Sequence, residues 1–190
     1  TLRAWTAFHI VDNAAPYLSK RFALANFDFF GRTPSGQPQI RERWKRGVSF
    51  ADGRVYATNG LGFAAALDAE TGAVIWKTRV EDHPRTRMSV SPQLHDGKLY
   101  VTTSAGEETA AMDPMYECCT SRGAAVALDA ATGRILWKTY VLPEARKWKV
   151  SSKGVQFWGP AGAAMWGGLS IDPKRRLLFS GTGNVYVDGM

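Results

Sequence analysis

Short segments in which hydrophobic and polar residues alternate recur along the chain, and this is the pattern of β-strands. In residues 135–141 the odd-numbered side chains are predicted to point to one face of a strand and the even-numbered side chains to the other. Strands of a second kind are predicted over 52–56, 96–100 and 176–179. Strands of this length, separated by turn residues, indicate an all-β protein.

An internal repeat is the strongest structural signal in the sequence. Residues 62–77 and 123–138 share Ala-Leu-Asp-Ala, Thr-Gly and Trp-Lys in the same register. Each copy predicts a strand, a tight turn and a second strand, with an aspartate that bonds backbone amides and a glycine that supplies a positive φ. These turn residues are Asp68, Gly72, Asp129 and Gly133.

The spacing of the repeat predicts the blades of a β-propeller. The Asp-Gly pairs that begin at Asp52 and Asp96 lie 44 residues apart, which fits four short strands in a unit of about forty residues. Trp76 and Trp137, predicted to pack between blades, lie 61 residues apart, so the second unit carries an insertion. Because a blade needs neighbours, we expect two to three blades of a longer protein.

The composition agrees with this architecture and excludes some classes of function. The 190 residues include 7 Trp and 19 Gly, which suits a fold where glycine makes turns and tryptophan packs between sheets. The net charge is +7, but the basic residues fall in short groups at 41–46, 146–149 and 174–176, without a nucleic-acid-binding motif. The charge therefore indicates a solvated basic surface or an anionic small ligand. No segment is long and apolar enough to span a bilayer.

The sequence lacks the motifs of several common catalytic and cofactor-binding sites. Residues 181–186 have the Gly-x-Gly of a dinucleotide-binding loop, but neither a third glycine nor a following helix signal. His9, His83 and His95 have no zinc-site spacing. Nucleophile-elbow, phosphate-loop and c-type haem sequences do not occur in the chain. The chemistry is therefore expected from the inserted residues of the second unit.

Cys118 and Cys119 are the only cysteines, and they are adjacent. From the residues alone two interpretations are open. A disulfide between neighbours closes an eight-membered ring, needs an oxidising compartment and offers a flat, polarizable surface to a planar ring system. Two buried free thiols in a cytosolic protein are the alternative, because cysteine packs well as a small hydrophobe.

The insertion, residues 104–123, carries a specific resemblance. An acidic pair is followed by Tyr-x-Cys-Cys-Thr-x-Arg-Gly and the repeated turn, which resembles the polyvinyl-alcohol dehydrogenase branch of the PQQ-dependent quinoprotein alcohol dehydrogenases. Residues 82–87 and the Ser-Pro pair at 91–92 are similar to that branch too. The run 166–184 resembles the Trp-Gly, Asp-Pro-Lys and Gly-x-Gly-Asn series of the wider family. The resemblance covers roughly residues 50–190 and implies an eight-bladed propeller in the full protein.

The resemblance implies a site for pyrroloquinoline quinone (PQQ). Cys118 and Cys119 would stack on one face of the quinone, and Trp166 would form the floor under the other. A flat ring gains dispersion energy from both sides of such a stack. The alternative for Trp166 is a packing role between blades.

Polar contacts to PQQ follow from the same resemblance. PQQ carries three carboxylates, and Arg122 would meet them with a guanidinium. Ser104 and Gly106 would contact the edge of the cofactor. The alternative for Arg122 is a surface position beside a turn.

A calcium ion is implied beside the quinone. Calcium prefers hard oxygen ligands, and residues 104–107 are close to the family's Ser-Gly-Ala-Glu segment, whose glutamate binds the ion. We prefer Glu107 to its neighbour Glu108, and Asn184 would give a side-chain oxygen. The alternative is that the acidic pair lies in a solvated loop.

The function implied by the resemblance is the oxidation of an alcohol. Calcium polarises the quinone carbonyl, a carboxylate base takes the hydroxyl proton, and hydride moves to the quinone. The family's base is an aspartate in a later blade and is expected beyond residue 190, since Asp188 follows Asn184 too closely. The implied substrate is an alcohol, such as the secondary alcohol groups of polyvinyl alcohol, and the implied electron acceptor is a cytochrome c.

Location and domain limits complete the predictions. A periplasmic location is expected from the disulfide and the family together. The chain is predicted to divide into an unassigned segment over 1–40 and a partial PQQ-type propeller domain over 41–190.

A non-catalytic scaffold propeller is the competing interpretation, although it has no use for adjacent cysteines beside acidic residues. A degenerate product without activity is a third, motivated by the absent base.

Overall fold

The computed structural model describes residues 47–187, which form strands and one short helix. The predicted segment 1–40, the basic group at 41–46 and Asp188 lie outside these residues. In chain order the elements are β1 Ser49–Ala51, β2 Arg54–Thr58, β3 Phe63–Asp68, β4 Val74–Arg79, β5 Thr86–Arg87, β6 Gln93–His95, β7 Lys98–Ala105, α1 Glu107–Ala110, β8 Ala124–Asp129, β9 Ile135–Tyr140, β10 Arg146–Val150, β11 Gln156–Gly159, β12 Ala161–Gly162, β13 Ser170–Asp172, β14 Leu177–Phe179 and β15 Val185–Val187.

Each repeat folds into a four-stranded antiparallel sheet. The first runs in the order β1-β2-β3-β4, and the second places β6, β7, β8 and β9 in the same succession, with β5 added to the far end of β7. The β1–β2 hairpin turns at Asp52 and Gly53 (φ 50° and 69°), and the β6–β7 hairpin at Asp96 and Gly97 (φ 48° and 66°). Two successive positive φ angles define the tight turn that Asp-Gly favours. The predicted all-β, propeller-type blades are confirmed.

The turn between the last two strands of each blade is stabilised by an aspartate, as predicted. Asp68 Oδ1 accepts hydrogen bonds from the amides of Glu70 (3.1 Å) and Thr71 (2.7 Å) and from the Thr71 hydroxyl (2.7 Å). Asp129 repeats the arrangement in the second blade with Thr132. The Thr71 hydroxyl and amide hold the pKa of Asp68 below its usual value, so the turn contains the ionised carboxylate.

The core lies between the two blades and is built on alanine-rich strands. Ala64 and Ala66 of β3 face the second blade, whereas Ala65 and Leu67 face the opposite side of the first sheet, so β3 is buried on both faces. Small side chains allow neighbouring sheets to pack closely. The cluster between the blades comprises Tyr56, Ala64, Ala66, Trp76, Val80, Met88, Leu99, Val101, Val126, Leu128 and Ala130.

The repeated tryptophan of the first blade contacts the turn of the second. Trp76 Nε1 donates to the Ala130 carbonyl at 3.0 Å, and the Thr78 hydroxyl donates to the Gly133 carbonyl at 2.7 Å. The predicted packing of Trp76 between blades is confirmed. Trp137 in the second blade is 38% exposed and lies beside Tyr100, so its contact with a further blade stays a prediction.

A charged contact also joins the blades. Lys138 Nζ on β9 lies 2.7 Å from Glu81 Oε2 and donates to the Val80 carbonyl at 2.9 Å. Glu81 also accepts the Tyr140 hydroxyl at 3.2 Å and the His83 amide at 3.2 Å. Burial opposes the charge of Glu81, but Lys138 and the amides prevail and hold the pKa of this carboxyl below its usual value.

The substitution Lys138→Met is expected to lower the free energy of unfolding of the full-length protein by about 2 kcal/mol, because it leaves a half-buried carboxylate unpaired. A folded pKa below 4.5 means that the pair stabilises the protein above that pH and ceases to do so as the pH falls through the folded pKa. Urea unfolding at pH 7 and pH 3.5 should therefore show a smaller difference at the lower pH. The exposed Lys153→Met is the control, and an equal loss in both variants would contradict the role of the contact.

The remaining strands bring the last part of the described chain back to the insertion. The predicted strand over 176–179 is observed as β14, paired with β13. Arg122 bridges Gly162 in parallel, the Gly123 amide donates to the Gly162 carbonyl, and the Gly162 amide donates to Ser121. Within residues 47–187, no helix has the length and apolar character needed to cross a membrane.

Candidate active site

Cys118 and Cys119 form the predicted vicinal disulfide, and the free-thiol alternative is wrong. The Cys119 amide donates to the Trp158 carbonyl (3.2 Å), and the Trp158 amide donates to the Cys118 carbonyl (2.7 Å), which binds the loop to β11. The cysteines are 6% and 0% exposed. Their neighbours in this cluster are Tyr116, Phe157, Ala161 and Tyr186. The disulfide therefore lies beneath side chains of this region, and its stacking on a quinone stays a prediction.

Glu107, the preferred metal ligand, is the most enclosed acidic residue of the insertion, with 1% exposure. Its carboxylate accepts the Ser121 amide at 2.7 Å, the Thr120 amide at 2.9 and 3.0 Å, and the Tyr116 hydroxyl at 3.1 Å. Burial and this carboxylate raise the pKa of the Tyr116 phenol. Both oxygens of Glu107 are therefore occupied by donors of the chain itself.

A cavity of about 380 Å³ contains three of the predicted site residues, Ser104, Glu108 and Trp166. Trp166 is 50% exposed and its indole packs against Gly183, where a Cβ atom would lie 2.9 Å from Nε1. The Ser104 hydroxyl donates to the Arg87 carbonyl at 3.0 Å. The structure thus supplies an aromatic surface that is open on one side, beside a carboxylate.

Four basic side chains line the same cavity, and sequence reasoning gave none of them a role: Arg79, His83, Arg85 and Arg87. Arg79 pairs with Asp82 (2.7 Å), and Arg85 lies over the ring of Tyr116. No carboxylate within residues 47–187 pairs with Arg87. The signal in the sequence for these residues is the Arg-Thr-Arg series within 82–87, which places two arginines on alternate positions of one short segment.

Gly106 provides space for Arg87. A Cβ atom at this position would lie 2.6 to 2.8 Å from the guanidinium of Arg87, and the Gly106 amide donates to the Arg85 carbonyl at 3.0 Å. Gly106 therefore lies against an arginine that lines the cavity, and its predicted contact with the edge of the cofactor stays a prediction.

Arg122 lies in a second cavity of about 450 Å³, together with Thr120, Ser121 and Tyr140. Its guanidinium stacks 3.8 Å from the centroid of the Tyr140 ring. The Ser121 hydroxyl is buried here without a hydrogen-bond partner in the described part of the chain. His83 lines both cavities. The structure therefore separates Arg122 from Trp166, with His83 between the two sites.

The predicted metal ligands Glu107, Glu108 and Asn184 have different surroundings. Glu108 faces the cavity and bonds the Tyr186 hydroxyl, and burial and this carboxylate raise the pKa of Tyr186. Asn184 is exposed, and its main-chain carbonyl accepts the Ala163 amide at 2.8 Å. Between residues 47 and 187, no group of three or more His, Cys, Asp or Glu is placed to bind a metal ion. These donors do not fit a calcium ion on their own.

Known proteins resemble the chain in sequence and in fold. A family model described as outer membrane protein assembly factor BamB matches residues 28–165. The polyvinylalcohol dehydrogenase of Sphingopyxis sp. (strain 113P3) is 52% identical over 126 residues, which cover 66% of this chain and 19% of that protein. The quinohemoprotein alcohol dehydrogenase ADH IIB of Pseudomonas putida is 30% identical over 152 residues, covering 73% and 20%. A solved europium-containing methanol dehydrogenase has a TM-score of 0.54 and 26% identity, over 74% of this chain and 26% of that chain.

The chain therefore belongs to the PQQ-type β-propeller family, and its relatives are the quinoprotein alcohol dehydrogenases that the sequence predicted. It spans about a fifth of the length of the curated relatives it matches. The matched family model is described by the name of an assembly factor, whereas these relatives are named as dehydrogenases. The repeat alone therefore does not distinguish these two functions, and the residues that line the cavities must do so.

Proposed function

We propose that this chain forms part of the cofactor site of a PQQ-dependent alcohol dehydrogenase. The observation that carries the proposal is the cavity in which the exposed indole of Trp166 accompanies the guanidinium groups of Arg79, Arg85 and Arg87. An aromatic surface ringed by cations suits a flat, polyanionic ring system. When bound, PQQ would supply the acceptor for the hydride of an alcohol.

The residues of the chain would bind and orient the cofactor. Trp166 would stack on one face of the ring, and Arg87, which has no carboxylate partner among the described residues, would meet a carboxylate. The unpartnered Ser121 hydroxyl and Arg122 support the second cavity as a further polar site on the other side of His83. The contact of the disulfide with the quinone is proposed from the family resemblance.

A calcium ion beside the quinone is part of the proposal, with one ligand from this region. Glu108 is the predicted ligand that faces the cavity, whereas the oxygens of Glu107 are occupied and Asn184 does not line it. The other ligands would come from outside residues 47–187.

The substrate, the electron acceptor and the cellular location of the protein are also proposals. The 52% identity to a protein named polyvinylalcohol dehydrogenase supports a secondary alcohol, such as the hydroxyl groups of a polymer, as the substrate. A cytochrome c is proposed as the electron acceptor. The disulfide supports a periplasmic location, because disulfides persist in oxidising compartments.

The test uses the full-length protein purified without reductant, stripped of cofactor and titrated with PQQ, with oxidation of 2,4-pentanediol followed by dye reduction. We expect PQQ-dependent activity and, for Trp166→Ala, about tenfold weaker PQQ binding through lost stacking. The exposed Trp148→Ala on β10 is the matched control and should bind normally. Absence of PQQ binding by the unaltered protein would favour the scaffold propeller.

A further inference from the structure

The buried carboxylate of Glu107 connects the short helix α1 to the loop that contains the disulfide. Ser121 and Thr120 donate their backbone amides to it at 2.7 and 2.9 Å, and Tyr116 donates its hydroxyl at 3.1 Å. These donors lie on both sides of the two cysteines along the chain. A single side chain thus fixes the loop before and after the disulfide.

The amides that Glu107 accepts also restrain the backbone that leads to Arg122, whose guanidinium contacts Tyr140 and donates to the Leu142 carbonyl at 3.3 Å. They belong to the residues between Cys119 and Arg122, and an amide hydrogen bonded to a buried carboxylate leaves little freedom to the backbone on either side. The guanidinium of Arg122 then reaches the second cavity. Glu107 itself lines neither cavity.

His83 is fixed in the same network. Its Nδ1 accepts the Arg85 amide at 3.2 Å, and its Nε2 lies 3.1 Å from the Thr120 hydroxyl. Nε2 lies 3.7 Å from Glu107 Oε1. The ring that separates the two cavities is therefore oriented by the loop that Glu107 fixes.

We infer that Glu107 is a positioning residue of the quinone site, which fixes the disulfide, Arg122 and His83 relative to the cavities, and is not a metal ligand. The inference rests on the proposed function. A carboxylate suits this role because all its oxygen lone pairs accept, whereas a glutamine amide would direct N–H groups at one of the backbone amides. A buried amide without an acceptor destabilises its surroundings.

The test compares Glu107→Gln with Glu117→Gln in the full-length protein, since Glu117 is an exposed acid next to Cys118 and its change removes the same charge. Reduction of the disulfide by dithiothreitol is followed by mass spectrometry of the Cys118–Cys119 peptide. We expect the disulfide of Glu107→Gln to be reduced about tenfold faster, because the substitution removes one buried hydrogen bond to a charged group. The rate should be unchanged in Glu117→Gln. The PQQ dissociation constant should rise about tenfold in Glu107→Gln, and added calcium should not restore it.

Two outcomes overturn the inference. One is an unchanged rate of reduction. The other is a loss of bound calcium from Glu107→Gln, with PQQ binding restored by excess calcium, which would show a metal ligand. If Glu107→Gln does not fold, Tyr116→Phe removes one donor while keeping the ring, and two- to threefold faster reduction is expected. The reduction rate does not depend on PQQ, so it tests Glu107 even if the unaltered protein binds no quinone.

Discussion

Replacing Gly133 by alanine is expected to lower the free energy of unfolding of the full-length protein by about 3 kcal/mol. Gly133 has a φ of 74°, a conformation that costs about 1 kcal/mol for a residue with a Cβ atom. That Cβ atom would lie 2.5 Å from the indole of Trp76 and 2.8 Å from the Thr78 hydroxyl. Because Trp76 is itself bonded to the Ala130 carbonyl, the ring cannot withdraw without losing the contact between the blades.

The chain offers a matched control for this substitution. Gly53 has a φ of 69° and a Cβ atom there would meet nothing within 4 Å, so Gly53→Ala carries only the backbone cost of about 1 kcal/mol. Urea unfolding of the two variants separates the cost of the backbone from that of the Trp76 contact. Equal losses would show that Trp76 packing does not explain the glycine of the repeat.

The blades could be predicted because their signals are local. Asp68 lies within three residues of the amides it accepts, and the Asp-Gly pair at Asp52 forms its turn by itself. In each of these cases the sequence interval between interacting groups is short, so propensity and spacing carry the information.

The cavity could not be predicted because its residues come from distant parts of the chain. Arg87 and Trp166 line it together, but they lie 79 residues apart and on different elements. The packing of one blade on the next, which no local pattern records, decides which side chains meet. The Arg-Thr-Arg series was visible in the sequence, yet nothing in it indicated a neighbouring indole.

Glu107 and Glu108 show a second reason why the site could not be predicted from the sequence. They are adjacent, acidic and equally suited by type to a calcium ion, and the sequence motif favoured Glu107. The structure buries Glu107 against amides that follow the disulfide and turns Glu108 toward the cavity. The difference depends on which face of α1 the loop contacts, and that contact spans thirteen to fourteen residues. Gly106, which is predicted to contact the cofactor, also lies against the guanidinium of Arg87, a contact that the sequence does not indicate.

Substituting Arg87→Met is expected to raise the dissociation constant of PQQ about thirtyfold, with little change in protein stability. The guanidinium lines the cavity and has no carboxylate partner among residues 47–187, so its charge is available to a ligand carboxylate. A hydrogen bond between charged groups contributes about 2 kcal/mol, which corresponds to a change of this size. PQQ titration of the cofactor-stripped, full-length protein by calorimetry, with unfolding measured in parallel, provides the readout.

Gly106→Ala tests the same contact without removing the charge. The added methyl group would meet the flexible end of Arg87, which can move away, so we expect an unchanged stability. PQQ binding should be about fivefold weaker, which lies between the values for the unaltered protein and Arg87→Met. The control is Arg134→Met, an exposed arginine on the turn of the second blade, which should bind as the unaltered protein does. Normal binding by Arg87→Met together with a large loss in Arg122→Met would instead place the carboxylates of the quinone in the second cavity, beside the unpartnered Ser121 hydroxyl.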